Sequence, residues 1–162
     1  MPVLRPLRDT DVADVLWLND ANVVNLAPMD EARLLHLRGL ADRFDVVEVD
    51  GQFGGFVVTF MAGTTYDSLN YRWFTDQGRE FYYLDRIVLR EEYRRRGLGG
   101  FVYDELERVA TPYGRLCLEV NLLPRNEASL AFHARRGYVE VGQLGDDEHR
   151  VSLMEKALGT PQ

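Results

Sequence analysis

The sequence predicts an α/β or α+β fold: a mixed, mostly antiparallel sheet of six to seven strands with a central parallel pair, flanked by helices. A strand-like run at 81–89, an amphipathic stretch at 97–110 and an apolar run at 116–120 form a strand–helix–strand unit, whose strands are parallel. Paired strand-like runs joined by short turns lie before and after this unit, and such pairs are antiparallel. The 162 residues contain no repeat and no Gly/Ser/Pro-rich linker, which predicts one domain over residues 1–162.

The composition is typical of a soluble protein, with 46% hydrophobic and 28% charged residues. No apolar stretch approaches the ~18 residues that span a bilayer, and the first residues hold no apolar signal core. The single cysteine, Cys117, excludes an internal disulfide and lacks zinc-ligand spacing to the three histidines. We therefore expect a cytoplasmic protein with no metal and no membrane contact.

The net charge of −7 is unevenly distributed along the chain. Residues 86–136 hold 10 Arg and 7 Asp or Glu, whereas the segments on either side are acidic. A nucleic-acid-binding domain is expected to have a broadly basic surface, so this distribution argues against nucleic acid. A local basic segment suits one compact polyanion, although solvated helix faces are an alternative explanation for the arginines.

The first half of the chain begins with two predicted helices. Asp9-Thr10-Asp11 is a plausible helix start, and a second amphipathic helix follows Asp30. Residues 44–49 and 53–61 read as two strands, because the intervening Asp50-Gly51 pair tolerates the positive φ of a tight hairpin turn.

The second half of the chain is predicted to hold two helices and four strands. Residues 81–89 form the strongest strand candidate, and residues 97–110 have helical spacing of apolar residues. A helix over 126–136 ends at Gly137, the residue type that favours a left-handed cap. Two final strands, about 138–144 and 149–155, complete the chain.

The junction before the 97–110 helix reads Arg94-Arg95-Arg96-Gly97-Leu98-Gly99-Gly100. The first N–H groups of a helix have no internal partner, and glycines let a phosphate reach them. The three arginines add positive charge suited to a pyrophosphate. No Lys-Ser/Thr pair follows, so the junction is not a nucleotide-hydrolysing P-loop. A flexible turn with solvated arginines is the alternative.

This junction resembles the acyl-CoA-binding signature of the GNAT superfamily of N-acetyltransferases, Arg/Gln-x-x-Gly-x-Gly/Ala, at Arg94, Gly97 and Gly99. The preceding run from Tyr83 to Leu89 resembles the fourth strand of that family. Residues 126–138, an Asn-led helix ending in Gly-Tyr, resemble its second motif. Both motifs stand in the family's order, so the resemblance covers about residues 80–140.

The resemblance implies acetyl-CoA as co-substrate. Its pantetheine arm would pair with the backbone of the 81–89 strand, and its pyrophosphate would bind the amides of the glycine-rich junction. The residues expected to bind it are Ile87, Val88, Leu89, Arg94, Arg95, Arg96, Gly97, Leu98, Gly99, Gly100, Asn126, Ser129 and Arg136.

The proton donor to the leaving thiolate departs from the family pattern. Many members carry a tyrosine seven residues after the asparagine of the second motif, whereas this chain has His133. An imidazole suits proton exchange near neutral pH. Ser129 is a second candidate donor, and a packed, inert histidine is the alternative for His133.

The base that accepts the amine proton is predicted to be Asp85. Diamine acetyltransferases that resemble this chain carry a glutamate in a similar Tyr-Leu-acid run. Strand alternation places Tyr83, Asp85 and Ile87 on one face and Arg86 on the other, and apolar neighbours would strengthen the carboxylate as a base. An ion pair with Arg86 is the alternative role, and Glu119 is a weaker candidate for the base.

The acceptor pocket is expected to draw on the 62–80 segment, which has no clear periodicity and reads as a long loop. Its aromatic residues suit a cationic, partly apolar amine, although they equally suit packing against the domain. The candidate acceptor-binding residues are Tyr66, Tyr71, Trp73 and Asn25.

The predicted function is transfer of an acetyl group from acetyl-CoA to a primary amine of a small molecule or peptide, by direct attack. Two alternatives stay open: a protein that binds acyl-CoA without turnover, and a regulator that binds a nucleotide or phosphate. The expected partner is the amine acceptor, and a homodimer is left open.

Overall fold

The computed structural model describes residues 1–159 and contains one seven-stranded sheet in the order β1-β2-β3-β4-β5-β7-β6. The sheet is mixed and mostly antiparallel, which confirms the predicted fold class. The strands are β1 (Pro2–Pro6), β2 (Arg43–Val49), β3 (Gln52–Met61), β4 (Tyr82–Leu89), β5 (Arg115–Leu123), β6 (Val139–Gly145) and β7 (Arg150–Ala157).

Helices cover both faces of the sheet, and each face has its own apolar core. On one face, Val15, Leu34 and Phe74 come from three different helices and pack against the strands. On the other face, Val102, Leu106 and Ala110 of a fourth helix pack against the strands. The helices are α1 (Val12–Asp20), α2 (Glu31–Leu40), α3 (Leu69–Asp76), α4 (Leu98–Ala110) and α5 (Glu127–Arg135).

The central strands β4 and β5 are the parallel pair, and they separate along their length. Their pairing is confined to Tyr82 with Leu116 and Tyr83 with Cys117. Beyond these residues β4 stays paired to β3 and β5 to β7 on their outer edges. The inner edges therefore diverge into a V-shaped gap at the carboxyl ends of both strands.

A bulge in β4 changes the faces that the sequence predicts. Val58 on β3 pairs with Arg86, and the next residue, Thr59, pairs with Leu84, so Asp85 has no partner opposite. An extra residue of this kind interrupts the alternation of a strand. Arg86 consequently contacts α1, on the face that carries Tyr83, and its predicted placement on the opposite face is wrong.

Two elements differ from the sequence prediction. The 62–80 segment is not all loop, because it contains α3, which the Ser68 hydroxyl caps by accepting a hydrogen bond from the Tyr71 N–H at 3.3 Å. The edge strand β1 was not predicted, because it begins and ends with proline, a residue type that is rare within strands. An edge strand tolerates proline because one side of its backbone needs no partner.

Within residues 1–159, no helix combines the length and apolar character needed to cross a bilayer.

Candidate active site

The gap between β4 and β5 opens into a cavity of about 910 Å³. Its walls include Leu84–Ile87 from β4 and Leu118–Asn121 from β5. Ser129 and His133 of α5, its capping residue Asn126 and Tyr103 of α4 line one side, and part of the segment between α1 and α2 lines another. The sequence predicted that Asp85, Ser129 and His133 share a site, and the fold brings them to one cavity.

The inner edge of β4 offers free backbone groups to this gap. The Arg90 N–H donates to the Gly54 carbonyl at 2.8 Å, so it faces β3. Backbone groups of successive residues face alternate edges of an antiparallel strand. Ile87 and Leu89 therefore face the gap, as the sequence analysis expects of a strand that pairs with an extended ligand. Val88 faces β3 and does not present its backbone to the gap.

The glycine-rich junction forms a left-handed turn before α4. Arg95 and Gly97 have positive φ values of 63° and 76°. Within residues 1–159, the amides of Arg95–Gly100 donate to no protein acceptor. An added Cβ at Gly97 would meet no atom within 4 Å, so the turn is open to solvent rather than filled by side chains. This geometry suits an anion.

The arginines around this turn have different partners. Arg94 donates to the Asn22 side chain at 3.1 Å, and the Arg96 guanidinium lies 5.7 Å from the centre of the Tyr93 ring. Both are exposed, and neither forms an ion pair with a carboxylate of residues 1–159. Arg136, by contrast, pairs with Asp104 and Glu107 of α4: the shortest N–O distances are 2.7 and 3.1 Å. These two carboxylates would compete with a cofactor phosphate for the Arg136 guanidinium, which was predicted to bind the cofactor.

Glu119 of β5 lies at the point where the two strands separate. The carboxylate accepts a hydrogen bond from the Tyr83 hydroxyl, and the Asn70 side chain and the charge of Arg86 also favour its ionised form. Burial and the charge of Asp85 raise the pKa of Glu119 to about 8, against an ordinary value of 4.5. A carboxyl group with this pKa exchanges protons near neutral pH.

Asp85 is held by two strong partners. The Tyr66 hydroxyl donates to one carboxylate oxygen at 2.6 Å, and Arg86 Nε donates to the other at 2.9 Å. The Asp85 and Arg86 side chains are 5% and 4% exposed, so this is a buried ion pair. The ion pair that the sequence left as an alternative role is therefore present, and the isolated carboxylate among apolar neighbours is wrong.

Hydrogen bonds from β4 and β5 hold the segment between α1 and α2 against the cavity. Arg86 Nη1 donates to the Asn19 side chain at 3.0 Å and to the Ala27 carbonyl at 3.2 Å. From β5, Asn121 donates to the Val24 carbonyl at 3.3 Å and to the Asn25 side chain at 3.1 Å. Asn25 thus lines the cavity as predicted, but one of its side-chain groups is already bonded.

His133 has a partner on each ring nitrogen. Its Nε2 lies 2.6 Å from the Tyr103 hydroxyl, and its Nδ1 lies 2.7 Å from the Ser129 carbonyl and 3.2 Å from the Ser129 hydroxyl. The residue is 5% exposed. Burial lowers the pKa of His133 below its usual 6.5, and the charge of Arg136 acts in the same direction.

The predicted acceptor residues divide between the cavity and the core. Tyr66 lines the cavity, whereas Tyr71 is 1% exposed and donates to the Met61 carbonyl at 2.6 Å. Trp73 packs on Gly142, where an added Cβ would lie 2.5 Å from the indole ring. Trp73 lines a second cavity of about 530 Å³, which shares Asn70 and Asn121 with the first. Tyr71 and Trp73 do not line the first cavity; both pack α3 against the core, which is the alternative role that the sequence left open.

The sequence analysis missed several cavity residues. Arg33 pairs with Asp67 at 2.6 Å, and its guanidinium lies 5.8 Å from the centre of the Tyr66 ring. Tyr103 lies mid-helix in an apolar stretch and carries no sequence signal of its role. The sequence points to its partner His133, but only the folded structure shows that the Tyr103 hydroxyl lies beside that imidazole.

Two other chemistries, metal-dependent catalysis and attack by a cysteine nucleophile, would each need side chains of a particular kind. Within residues 1–159, no cluster of three or more His, Cys, Asp or Glu side chains could hold a metal ion. Cys117 is buried, and burial raises the pKa of its thiol to about 12. A thiol in this state is a poor nucleophile.

The fold and the site together define a class of α/β domain in which two parallel strands separate beside an open, glycine-rich helix N-terminus. The chain belongs to the acetyltransferase (GNAT) family, whose match extends over residues 11–138. Use of acetyl-CoA is typical of that family, and the open turn and the free edge of β4 fit such a ligand.

Known proteins similar to this chain include a curated relative and solved structures. An uncharacterized N-acetyltransferase from Lactobacillus delbrueckii subsp. lactis is 26% identical over 119 residues, which cover 71% of this chain and 64% of that protein. The crystal structure of Ard1 from Thermoplasma volcanium matches with a TM-score of 0.75 at 19% identity, covering 97% of each chain. That of the ribosomal-protein-S18-alanine N-acetyltransferase from Escherichia coli matches with a TM-score of 0.67 at 19% identity, covering 100% of this chain and 97% of that one.

Proposed function

We propose that this chain is an N-acetyltransferase that transfers the acetyl group of acetyl-CoA directly to a primary amine of a small molecule or peptide. The observation that carries the proposal is the position of Glu119, a carboxyl group with a pKa of about 8, at the point where β4 and β5 separate. The same gap presents free backbone groups of β4 and leads away from an open, anion-binding turn.

The chain binds the acyl donor mainly through its backbone. N–H groups at Ile87 and Leu89 are available to an extended amide-containing arm, in the manner of an added strand. The amides of Arg95–Gly100, with Arg94 and Arg96 nearby, are available to the pyrophosphate. Val88 pairs with Phe56 of β3 and so holds β4 in the sheet. Asn126 lines the cavity, and its side-chain oxygen caps α5 by accepting a hydrogen bond from the Ser129 N–H at 3.2 Å.

The chemical step begins with an amine that is mostly protonated at neutral pH. Ionised Glu119 accepts one ammonium proton, and the freed lone pair forms a bond to the thioester carbonyl carbon. The C–S bond then breaks, its electron pair leaves with sulfur, and the second amine proton is lost to a base or water. Holding amine and thioester together contributes up to ~7–11 kcal/mol to such a reaction.

Asp85 supports this step in place of serving as the base itself. Its charge favours protonation of Glu119 and attracts an ammonium group, while Arg86 and Tyr66 hold it in position. Direct transfer, without an acyl-enzyme intermediate, is supported by Cys117, which is buried and has a raised thiol pKa.

The acceptor enters between the α1–α2 segment and α3. The available groups there are the Arg33–Asp67 pair, the Tyr66 ring and the remaining hydrogen-bonding capacity of Asn25. A peptide amine belongs to the proposed range because the Escherichia coli enzyme named above, which acts on an alanine of a ribosomal protein, shares the fold. We place the reaction in the cytoplasm, where acetyl-CoA is available.

The test is incubation of the chain with acetyl-CoA and a panel of primary amines, including short peptides, followed by mass spectrometry. We expect an acetylated amine and free CoA in equal amounts, with Glu119→Gln slower by ~10²–10⁴-fold. Glu148→Gln, an exposed carboxyl outside the cavity, is the matched control. Turnover that survives Glu119→Gln contradicts the assigned base. Binding of CoA with no acetylation across the panel contradicts the transferase.

A further inference from the structure

We propose that the Ser129 carbonyl and the Tyr103 hydroxyl together hold His133 in its neutral Nδ1–H form, so that the Ser129 hydroxyl, rather than His133, is the hydrogen-bond donor to the leaving thiolate. The inference deepens the proposed transferase and rests on it for the thiolate step. Its structural half, the proton position on His133, stands independently of any activity.

The Nδ1 proton follows from the partner of that nitrogen. The Ser129 carbonyl oxygen lies 2.7 Å from Nδ1, and a carbonyl oxygen only accepts hydrogen bonds. Nδ1 must therefore carry a hydrogen. The Ser129 hydroxyl, at 3.2 Å, is the more distant of the two oxygens near Nδ1.

The Tyr103 hydroxyl donates a hydrogen bond to Nε2, the second ring nitrogen of His133. His133 is neutral near pH 7, because burial lowers its pKa and Arg136 adds a nearby positive charge. A neutral ring with hydrogen on Nδ1 has a lone pair on Nε2. The Tyr103 hydroxyl, 2.6 Å away and 3% exposed, must donate to that lone pair. Burial also raises the pKa of Tyr103 well above its usual value, which keeps the phenol protonated.

Both ring nitrogens are thus engaged inside the protein, and His133 directs no proton into the cavity. The Ser129 hydroxyl keeps its hydrogen, because the His133 N–H cannot accept it. Within the described chain, that hydroxyl has no partner other than the His133 ring. Ser129 lines the cavity beside Asn126, so its O–H is free to turn toward a ligand there.

The proposed interaction is a hydrogen bond rather than complete proton transfer. When the C–S bond breaks, the electron pair moves to sulfur, and the Ser129 O–H donates to that anion. Serine keeps its proton, since an alkoxide is a far stronger base than a thiolate. The thiolate then leaves as the anion or takes a proton from water. Tyr103 acts through His133 and is a positioning residue.

The first measurement locates the histidine proton by nitrogen NMR of ¹⁵N-histidine-labelled protein, without substrate. The chain has three histidines, and the exposed His36 and His149 are internal references. We expect hydrogen on Nδ1 of His133 at pH 7. Tyr103→Phe should leave the hydrogen on Nδ1, which the Ser129 carbonyl holds, and raise the pH at which His133 becomes protonated, because the Nε2 lone pair loses its donor. Tyr113→Phe, a matched change outside the cavity, should leave His133 unaltered.

The second measurement follows the thiol of bound CoA by the ultraviolet absorbance of its thiolate. Ser129→Ala should raise the pH at which that thiol ionises and lower kcat by at least ~10-fold, with the KM for acetyl-CoA little changed. Ser129→Thr, which retains the hydroxyl, should restore most of both.

Three results overturn the inference: hydrogen on Nε2 of His133 in the unmodified chain, an unaltered pH of His133 protonation in Tyr103→Phe, or an unaltered CoA thiol in Ser129→Ala. Failure of CoA to bind would instead contradict the proposed function and leave the NMR result standing.

Discussion

At the scale of single residues, the site depends on two carboxylates with different surroundings. Asp85 has a guanidinium and a phenol as close partners, whereas Glu119 has two neutral partners, Tyr83 and Asn70, and faces the charge of Asp85. Burial beside a like charge opposes ionisation. Glu119 is therefore suited to accept a proton near neutral pH.

A pH profile tests this assignment. Because Glu119 must be ionised to accept a proton, we expect kcat/KM to rise as pH increases and to level off above about pH 8. Two acceptors whose amines differ in pKa should share this inflection, since it belongs to the chain. An inflection that moves with the amine, or one that survives Glu119→Gln, would contradict the assignment.

The same raised pKa makes a prediction about stability. The unfolded chain ionises Glu119 near its ordinary pKa of 4.5, whereas the folded chain holds the proton up to about 8. Between these values the folded state binds more protons, so this group's contribution to stability is lost as pH rises. Glu119→Gln should therefore unfold at a higher temperature than the unmodified chain at pH 8, with a smaller difference at pH 4. A variant less stable at pH 8 would refute the raised pKa.

Sequence alone identified the residue types of the site better than their roles. Asp85, Ser129 and His133 were predicted to meet, and they line one cavity. The phenol partners of Asp85 and His133 come from distant parts of the chain: Tyr66 precedes Asp85 by 19 residues, and Tyr103 precedes His133 by 30. Such contacts depend on the fold, so no local pattern predicts them.

At the scale of the elements, β4 determines the geometry of the site. Its bulge at Asp85 turns Arg86 toward α1, and its divergence from β5 opens the gap. The strand itself was predictable from its apolar run. The bulge was not, because an extra residue in a strand leaves no periodic signal when both faces are buried.

The turn before α4 provides the element-scale prediction. Gly97 has a φ of +76°, a conformation that costs a residue with a Cβ about 1–2 kcal/mol. Gly97→Ala should disturb the adjacent amides and weaken CoA binding about tenfold, or ~1.4 kcal/mol, as measured by calorimetric titration.

The matched control for that variant is Gly39→Ala, which changes a glycine within α2 where an added Cβ meets no atom within 4 Å. Alanine favours a helix interior by ~1 kcal/mol, so this variant should gain slightly in stability and keep its affinity for CoA. Equal loss of affinity in both variants would contradict a specific role for the turn.

At the scale of the whole molecule, one sheet separates two apolar cores and holds the site at its central split. Helices α1 to α3 cover the face that carries Tyr83, and α4 with α5 covers the other. The strand–helix–strand order predicted this arrangement around residues 81–120, because a parallel pair requires a crossover helix. The helix α3, which adds Tyr71 and Phe74 to one core, was not predicted, because it has only eight residues and turn-forming residues flank it on both sides.

Hydrogen exchange of individual amides, with and without CoA, tests the central claim most directly. Binding in the gap should slow exchange at Ile87, at Leu89 and across 95–100, while the β1–β2 pair remains unchanged. Unaltered exchange at those amides when CoA is bound, or protection confined to another part of the chain, would contradict the account.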